Sequence, residues 1–201
     1  QPGIEARTDG LVNGPADCFF FLTASAESGD EGAGVLAART QDGGKTVTLL
    51  SWVCKPAGVM ALMPSSLRTG PGRILTAVRC HAREETPRDH CWIDLYVSED
   101  NGQTFCHLTR PAPKTGRGGN PPVIKRLPDG RIVLVYGARR PPYGIRARIS
   151  ADQGETWSAE ILLRQDGGAP DLGYPRAVVL DDGTLVIVYY FNETPQGERF
   201  I

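Results

Sequence analysis

The sequence predicts an all-β chain made of repeated four-stranded units, and three observations carry that expectation. Short apolar runs rich in β-branched and aromatic residues recur along it. The 24 glycines and 16 prolines are spread between those runs rather than clustered. Two turn motifs return in step, at intervals of 52 to 58 residues. Short strands separated by frequent Gly and Pro turns are the pattern of all-β architecture.

The longest apolar runs, Cys18 to Leu22, Ile132 to Tyr136 and Leu185 to Phe191, are five to seven residues long, the length of buried strands. The first turn motif occurs three times: Thr40-Gln-Asp42-Gly-Gly44-Lys-Thr46-Val47, Ser98-Glu-Asp100-Asn-Gly102-Gln-Thr104-Phe105 and Ser150-Ala-Asp152-Gln-Gly154-Glu-Thr156-Trp157. Its glycines lie 58 and then 52 residues apart. In such an Asp-box, the aspartate accepts N–H bonds within the turn and the glycine takes positive φ. The closing aromatic packs under a neighbouring hairpin. The role is structural.

The second motif is a turn leading into an apolar strand: Gly70-Pro-Gly72-Arg-Ile-Leu, Pro128-Asp-Gly130-Arg-Ile-Val and Asp181-Asp-Gly183-Thr-Leu-Val, with glycines 58 and 53 apart. Each period therefore holds about four short strands, which is a propeller blade. From turn to Asp-box the distances are 30 and 24 residues, so the box belonging to Gly183 falls near or beyond the last residue and the final blade is expected to be incomplete. The units run about 1–50, 51–105, 106–157 and 158–201 within one continuous domain. That is about three and a half blades, too few to close a ring, and the rest is expected from upstream sequence.

Composition narrows the function. With 22 basic and 23 acidic side chains the net charge is −1, so no global attraction to nucleic acid or an anionic membrane exists. Any anion must be met by locally placed arginines. No run is long enough to span a membrane as a helix. The five cysteines form an odd set without a CxxC pair, which excludes a small disulfide framework but leaves a Cys80–Cys91 bridge open. Thiol–imidazole neighbours such as Cys80-His81 and His90-Cys91 have zinc-ligand chemistry, but adjacent strand residues point to opposite faces, so neither a metal nor another cofactor is expected. There is no GxSxG, phosphate-loop, HExxH or dinucleotide fingerprint. The glycine-rich stretch Thr115-Gly116-Arg117-Gly118-Gly119-Asn120 reads as a mobile loop at a pocket mouth.

The Asp-boxes, together with Gly173-Tyr174-Pro175-Arg176 leading to Leu180-Asp-Asp-Gly183 and a Val-Tyr-Tyr strand, resemble the sialidases and sialidase-like bacterial propellers. The resemblance spans the whole chain. It implies a sialidase-type β-propeller of six blades with a site at the central mouth, acting on a glycan terminus. Members hold a sialic-acid carboxylate with three arginines, attack with a tyrosine assisted by a glutamate, and use an aspartate as acid/base. Other Asp-box propellers only bind glycans or proteins, so the blade type does not settle activity. The family favours a secreted or periplasmic setting, against which the odd cysteine count stands.

Carried over, the resemblance makes Tyr174 the nucleophile, because it stands nine residues before Gly183 as the family pattern requires. Arg79 and Arg139, at corresponding strand ends of adjacent blades, match the second and third carboxylate-binding arginines. Arg146, Arg176 and Arg7 are further substrate-binding candidates, whereas Arg73, Arg126 and Arg140 read as solvated surface residues. One departure stands out: sixteen residues before Arg79, where the assisting glutamate belongs, the chain has Met63. Asp9, Glu27, Asp30, Glu31 and Asp171 remain as carboxylates, each read as a turn or rim residue. The segment carrying the first arginine and the blade carrying the acid/base aspartate are expected upstream of Gln1.

Overall fold

The computed structural model describes residues 3–25, 33–82 and 90–201, excluding the side chains of residues 5–8. All regular structure there is β, in antiparallel sheets whose strands follow chain order. The first sheet holds β1 (Gly3–Gly14), β2 (Asp17–Ser25), β3 (Ala33–Thr40) and β4 (Thr48–Cys54). The second holds β5 (Val59–Arg68), β6 (Ile74–Ala82), β7 (Cys91–Ser98) and β8 (Cys106–Ala112). The third holds β9 (Val123–Arg126), β10 (Ile132–Ala138), β11 (Tyr143–Ser150) and β12 (Ile161–Gly167). The fourth pairs β13 (Gly173–Val179) with β14 (Leu185–Tyr190).

This is a partial β-propeller with three four-stranded blades and a two-stranded one. Each aspartate turn joins the third and fourth strands of its sheet, so each sheet continues several residues past its turn.

Successive blades pack face to face, and a separate core fills each seam. Phe19, Phe21, Val35, Ile74 and Trp92 lie between the first and second. Leu75, Ile93, Leu95, Ile132 and Leu134 fill the next seam, and Val133, Val135, Ile145, Leu172 and Phe191 the last. Each such side chain contributes roughly 1.5–3 kcal/mol by leaving water. The first strand of each blade touches the first strand of the next, β1 to β5, β5 to β9 and β9 to β13, so these strands line the centre.

The aspartate turns hold the opposite end. Asp100 accepts from Thr104 N at 2.9 Å and from the Thr104 hydroxyl at 2.6 Å, while Ser98 Oγ accepts from Gly102 N at 2.8 Å. The turns at Asp42 and Asp152 repeat every one of these bonds. The first turn, which reads as degraded, is therefore complete in its polar part. It lacks only the aromatic, and Val47 is exposed where Phe105 packs edge-on against Phe21 and Trp157 Nε1 donates to Gly154 O.

None of the five cysteines forms a disulfide. The Cys80–Cys91 bridge left open by the sequence is not formed, because the strand register sets Cys80 opposite Trp92 and Cys91 opposite His81.

Candidate functional site at the propeller mouth

The register of the central strands fixes which residues are equivalent. Asp9, Ser65, Val123 and Arg176 stand opposite Phe21, Ala77, Val135 and Val188 across the first hairpin of each blade. Two residues earlier in each blade come Arg7, Met63, Pro121 and Tyr174. In the first, second and fourth blades these positions fall in a register shift, at Glu5/Asp9, Leu62/Ser65 and Gly173/Arg176. Met63 and Tyr174 both adopt positive φ, 53° and 50°, a conformation uncommon for non-glycine residues and taken elsewhere by Asn101 and Gln153 in the aspartate turns.

Tyr174 is kept there by Asn120, a fully buried side chain. Asn120 Oδ1 accepts from Gly137 N at 3.0 Å and Tyr174 N at 3.1 Å, and Nδ2 donates to Leu172 O at 2.9 Å. A Cβ on Gly173 would lie 2.4 Å from Asn120, and one on Gly137 2.9 Å, so both strand glycines make room for it. Those glycines inside strands, followed by no turn, are the sequence signal for a close approach. Tyr174 itself is 40% exposed, with its ring 5.7 Å from that of Tyr190.

Two arginines reach this tyrosine. The Arg139 guanidinium lies 5.5 Å from the Tyr174 ring centroid. Its Nε donates to Leu172 O at 3.2 Å and its Nη2 to the Tyr190 hydroxyl at 2.8 Å. Tyr190 in turn donates to Asp171 at 2.6 Å, and burial together with that carboxylate pushes the phenol up to about 12. Arg79 is near enough to Tyr174 and Arg139 for both to act on its charge, the tyrosine favouring it and the like charge of Arg139 opposing it. Its Nη2 donates to Gly118 O and its Nη1 lies 3.0 Å from Met63 Sδ. Burial draws the Arg79 guanidinium below its ordinary value, yet a guanidinium stays charged at any working pH.

No carboxylate pairs with Arg79 among the described residues. Two neighbouring cations, one of them part-buried with an unpartnered Nε, form a cradle for an anion.

The two arginines are not at identical blade positions: Arg79 follows its turn glycine by seven residues and Arg139 by nine. A two-residue step keeps the face of the strand, so both still point into the mouth.

The other arginines separate. Arg146 is only 1% exposed and turns into the protein, donating to Arg164 O at 2.6 Å and Pro142 O at 2.7 Å. The sequence expects it to bind substrate; here its Nη donors are taken up by carbonyls of β12 and of the segment before β11. Arg176 is exposed one layer below Tyr174, where its charge reaches Asp9 across the centre. The side chain of Arg7 lies outside the described residues, as do Glu27, Asp30 and Glu31. Asp9 is tied to Ser66 N, and burial raises it despite Lys125 and Arg176 nearby. Asp171 is more than a rim residue, since it anchors Tyr190 and Arg199 beside the mouth.

The glycine-rich stretch 115–120 lies at the mouth but is pinned rather than loose. Thr115 N donates to Cys91 O, Arg139 N to Thr115 O and Arg117 N to Arg139 O. Gly116 at φ 86° leaves no space for a side chain, because a Cβ would fall 2.2 Å from the Arg139 carbonyl carbon. Beside it opens a cavity of about 610 Å³ lined by Lys114, Gly116, Arg117, Arg139, Arg140 and Tyr143 among others.

No protein-family profile matches the chain, and no curated protein matches it. Solved structures do. A protein of unknown function from Dyadobacter fermentans is 32% identical over 96% of this chain and 50% of its own, with a TM-score of 0.74. The GH93 α-L-arabinofuranosidase of Fusarium graminearum is 16% identical over 92% of this chain and 56% of its own, at 0.68. A Hadza microbial sialidase is 13% identical over 96% and 44%, at 0.67. The chain therefore has the fold of sialidase-like propellers, a fold it shares with glycoside hydrolases, and it spans about half the length of these proteins.

Proposed function

We propose that the protein is a sialidase-type glycoside hydrolase whose mouth takes a glycan terminus bearing a carboxylate. The observation that carries this reading is the convergence of Arg79, Arg139 and Tyr174 on one spot, with Arg79 lacking an acidic partner among the described residues. Guanidinium groups suit a planar carboxylate, which would meet the N–H donors left over from the bonds to Leu172, Tyr190 and Gly118. A sugar so held presents its anomeric carbon next to an anionic group, which disfavours a carboxylate nucleophile and favours a phenol. In this mechanism Tyr174 Oη loses its proton and bonds to the anomeric carbon as the bond to the leaving oxygen breaks, and the leaving oxygen takes up a proton to depart as an alcohol. Water then displaces the tyrosine, one of its protons returning to Tyr174 Oη and its OH remaining on the anomeric carbon. Both arginines keep the carboxylate fixed through the two steps.

Glycosidase neighbours that act on arabinose chains make neutral furanosides a necessary control. The protein is expected to release 4-methylumbelliferone from a sialoside and not from an α-L-arabinofuranoside. Inertness toward every sialoside, or preference for the arabinoside, overturns the carboxylate reading.

Met63 favours a second reading, a propeller that binds the same sugar without cleaving it. Its thioether lies against Arg79 where the resemblance places a carboxylate, and methionine cannot take a proton from Tyr174. Tight binding of sialyllactose without product separates this reading from the first.

A further inference from the structure

The cavity beside Arg139 is a second cationic site that the mouth does not use. Arg140 is committed, since its Nη2 donates to Glu160 at 2.7 Å and its Nε to Lys114 O at 3.3 Å. Lys114 and Arg117 are different. Both are exposed, three residues apart on either side of Gly116, and neither has an ion pair among the described residues. Their backbone does not need to be ordered by a ligand: Gly116 packs against the Arg139 carbonyl, and Arg117 N is bonded to Arg139 O. Positive charge at the wall of a cavity attracts an anion, and with the backbone already fixed the ordering cost falls on the two side chains alone. Arg139 lines this cavity and also touches Tyr174, so the two sites share a wall. A group bound here must belong to the part of the glycan that follows the terminal sugar.

From this the geometry points to a subsite formed by Lys114 and Arg117 that recognises a second oxyanion, a sulfate ester or a carboxylate, on the residue next to the terminal sugar. This inference rests on the carboxylate reading of the mouth. It would make the protein selective for glycans carrying two anionic groups, rather than for any sialylated chain.

The test measures calorimetric affinities of the protein for sialyllactose, for sialyllactose sulfated on the penultimate sugar and for disialyllactose. The expected result is roughly tenfold tighter binding of one or both doubly anionic probes, from charge-assisted hydrogen bonds. The gain should shrink as salt is raised. In the double variant Lys114→Ala/Arg117→Ala the gain should vanish while sialyllactose affinity stays unchanged, which also shows that the variant folds. Gain with the sulfated probe alone assigns a sulfate subsite, and gain with disialyllactose alone a carboxylate subsite. Equal affinity for all three probes overturns the subsite but leaves the mouth intact, as does a gain that persists in the double variant. Failure of every probe to bind overturns the mouth and the subsite together.

Discussion

The two ends of each blade follow different rules. At one end, three aspartate turns repeat the same hydrogen bonds to within about a tenth of an ångström at the backbone contacts. At the other, the four equivalent positions carry Arg7, Met63, Pro121 and Tyr174, which share no chemistry. Met63 and Tyr174 nonetheless share positive φ, and each is followed by proline. The repeat therefore dictates backbone and side chains at the turn end, whereas at the mouth the backbone recurs at two of the four positions and the side chains at none. Sameness at the turn end marks structure, and difference at the mouth marks a surface free to specialise.

Four changes would break or sharpen that contrast. The largest effect is expected from Tyr174→Phe, which keeps the ring against Tyr190 and Arg139 but removes the oxygen. Turnover should fall roughly a thousandfold or more, about 4 kcal/mol in activation energy, with the melting temperature unmoved. Steady-state kinetics with unchanged kcat would show that the phenol does no chemistry.

At the opposite end, Gly154→Ala adds a Cβ 2.7 Å from Leu95 at φ 95°. It should lower unfolding free energy by about 2–4 kcal/mol in a denaturant titration, while activity per folded molecule stays the same. If activity falls instead, the two ends are coupled.

A smaller gain is expected from Met63→Glu. Both residues are unbranched at Cβ, so the strained φ should tolerate either, and the new carboxylate would face Arg79. For a hydrolase lacking its assisting acid, kcat should rise roughly tenfold or more, below the full range of general acid–base catalysis because Arg79 also holds the carboxylate charged. No gain at any pH would indicate that another group already assists Tyr174, or that the protein only binds.

The smallest effect concerns acid. Hydrogen bonds from Thr46, Thr104 and Thr156 hold Asp42, Asp100 and Asp152 at about 2. A carboxyl depressed in the folded state stabilises fully above its unfolded value near 4, and that contribution is lost as pH falls through about 2. Melting temperatures measured between about pH 5 and pH 2 should therefore fall, and a triple Asp→Asn variant should show a flatter slope. Equal slopes would mean that the turns are not linked to protonation.

Much of this was legible in the sequence, for a physical reason. Turn motifs act locally, so Asp, Gly and Thr at fixed spacing report their own hydrogen bonds, and even the turn ending in Val47 formed them. The resemblance singles out Tyr174, Arg79 and Arg139; strand period accounts for the shared face of the two arginines but not for their blade positions, which differ by two residues. The surroundings of Arg146 were not legible. Its guanidinium is bonded to the carbonyls of Pro142 and Arg164, 4 residues before it and 18 after it, and that arrangement becomes visible only in three dimensions. Asn120 was hidden for the same reason, as one asparagine joining three segments distant in sequence. The glycines of the 115–120 stretch suggested mobility, whereas they permit close backbone packing against Arg139.

The unpaired charge of Arg79 beside Arg139 has a practical side. Arg139 has Asp171 3.8 Å away, but Arg79 has no carboxylate among the described residues, so the mouth should take up a small oxyanion from solution. Phosphate, sulfate or citrate in a storage buffer should then raise the melting temperature and act as competitive inhibitors. Chloride-only media give the fairest first measurement of this protein, and its response to buffer composition would itself be an early readout of the mouth.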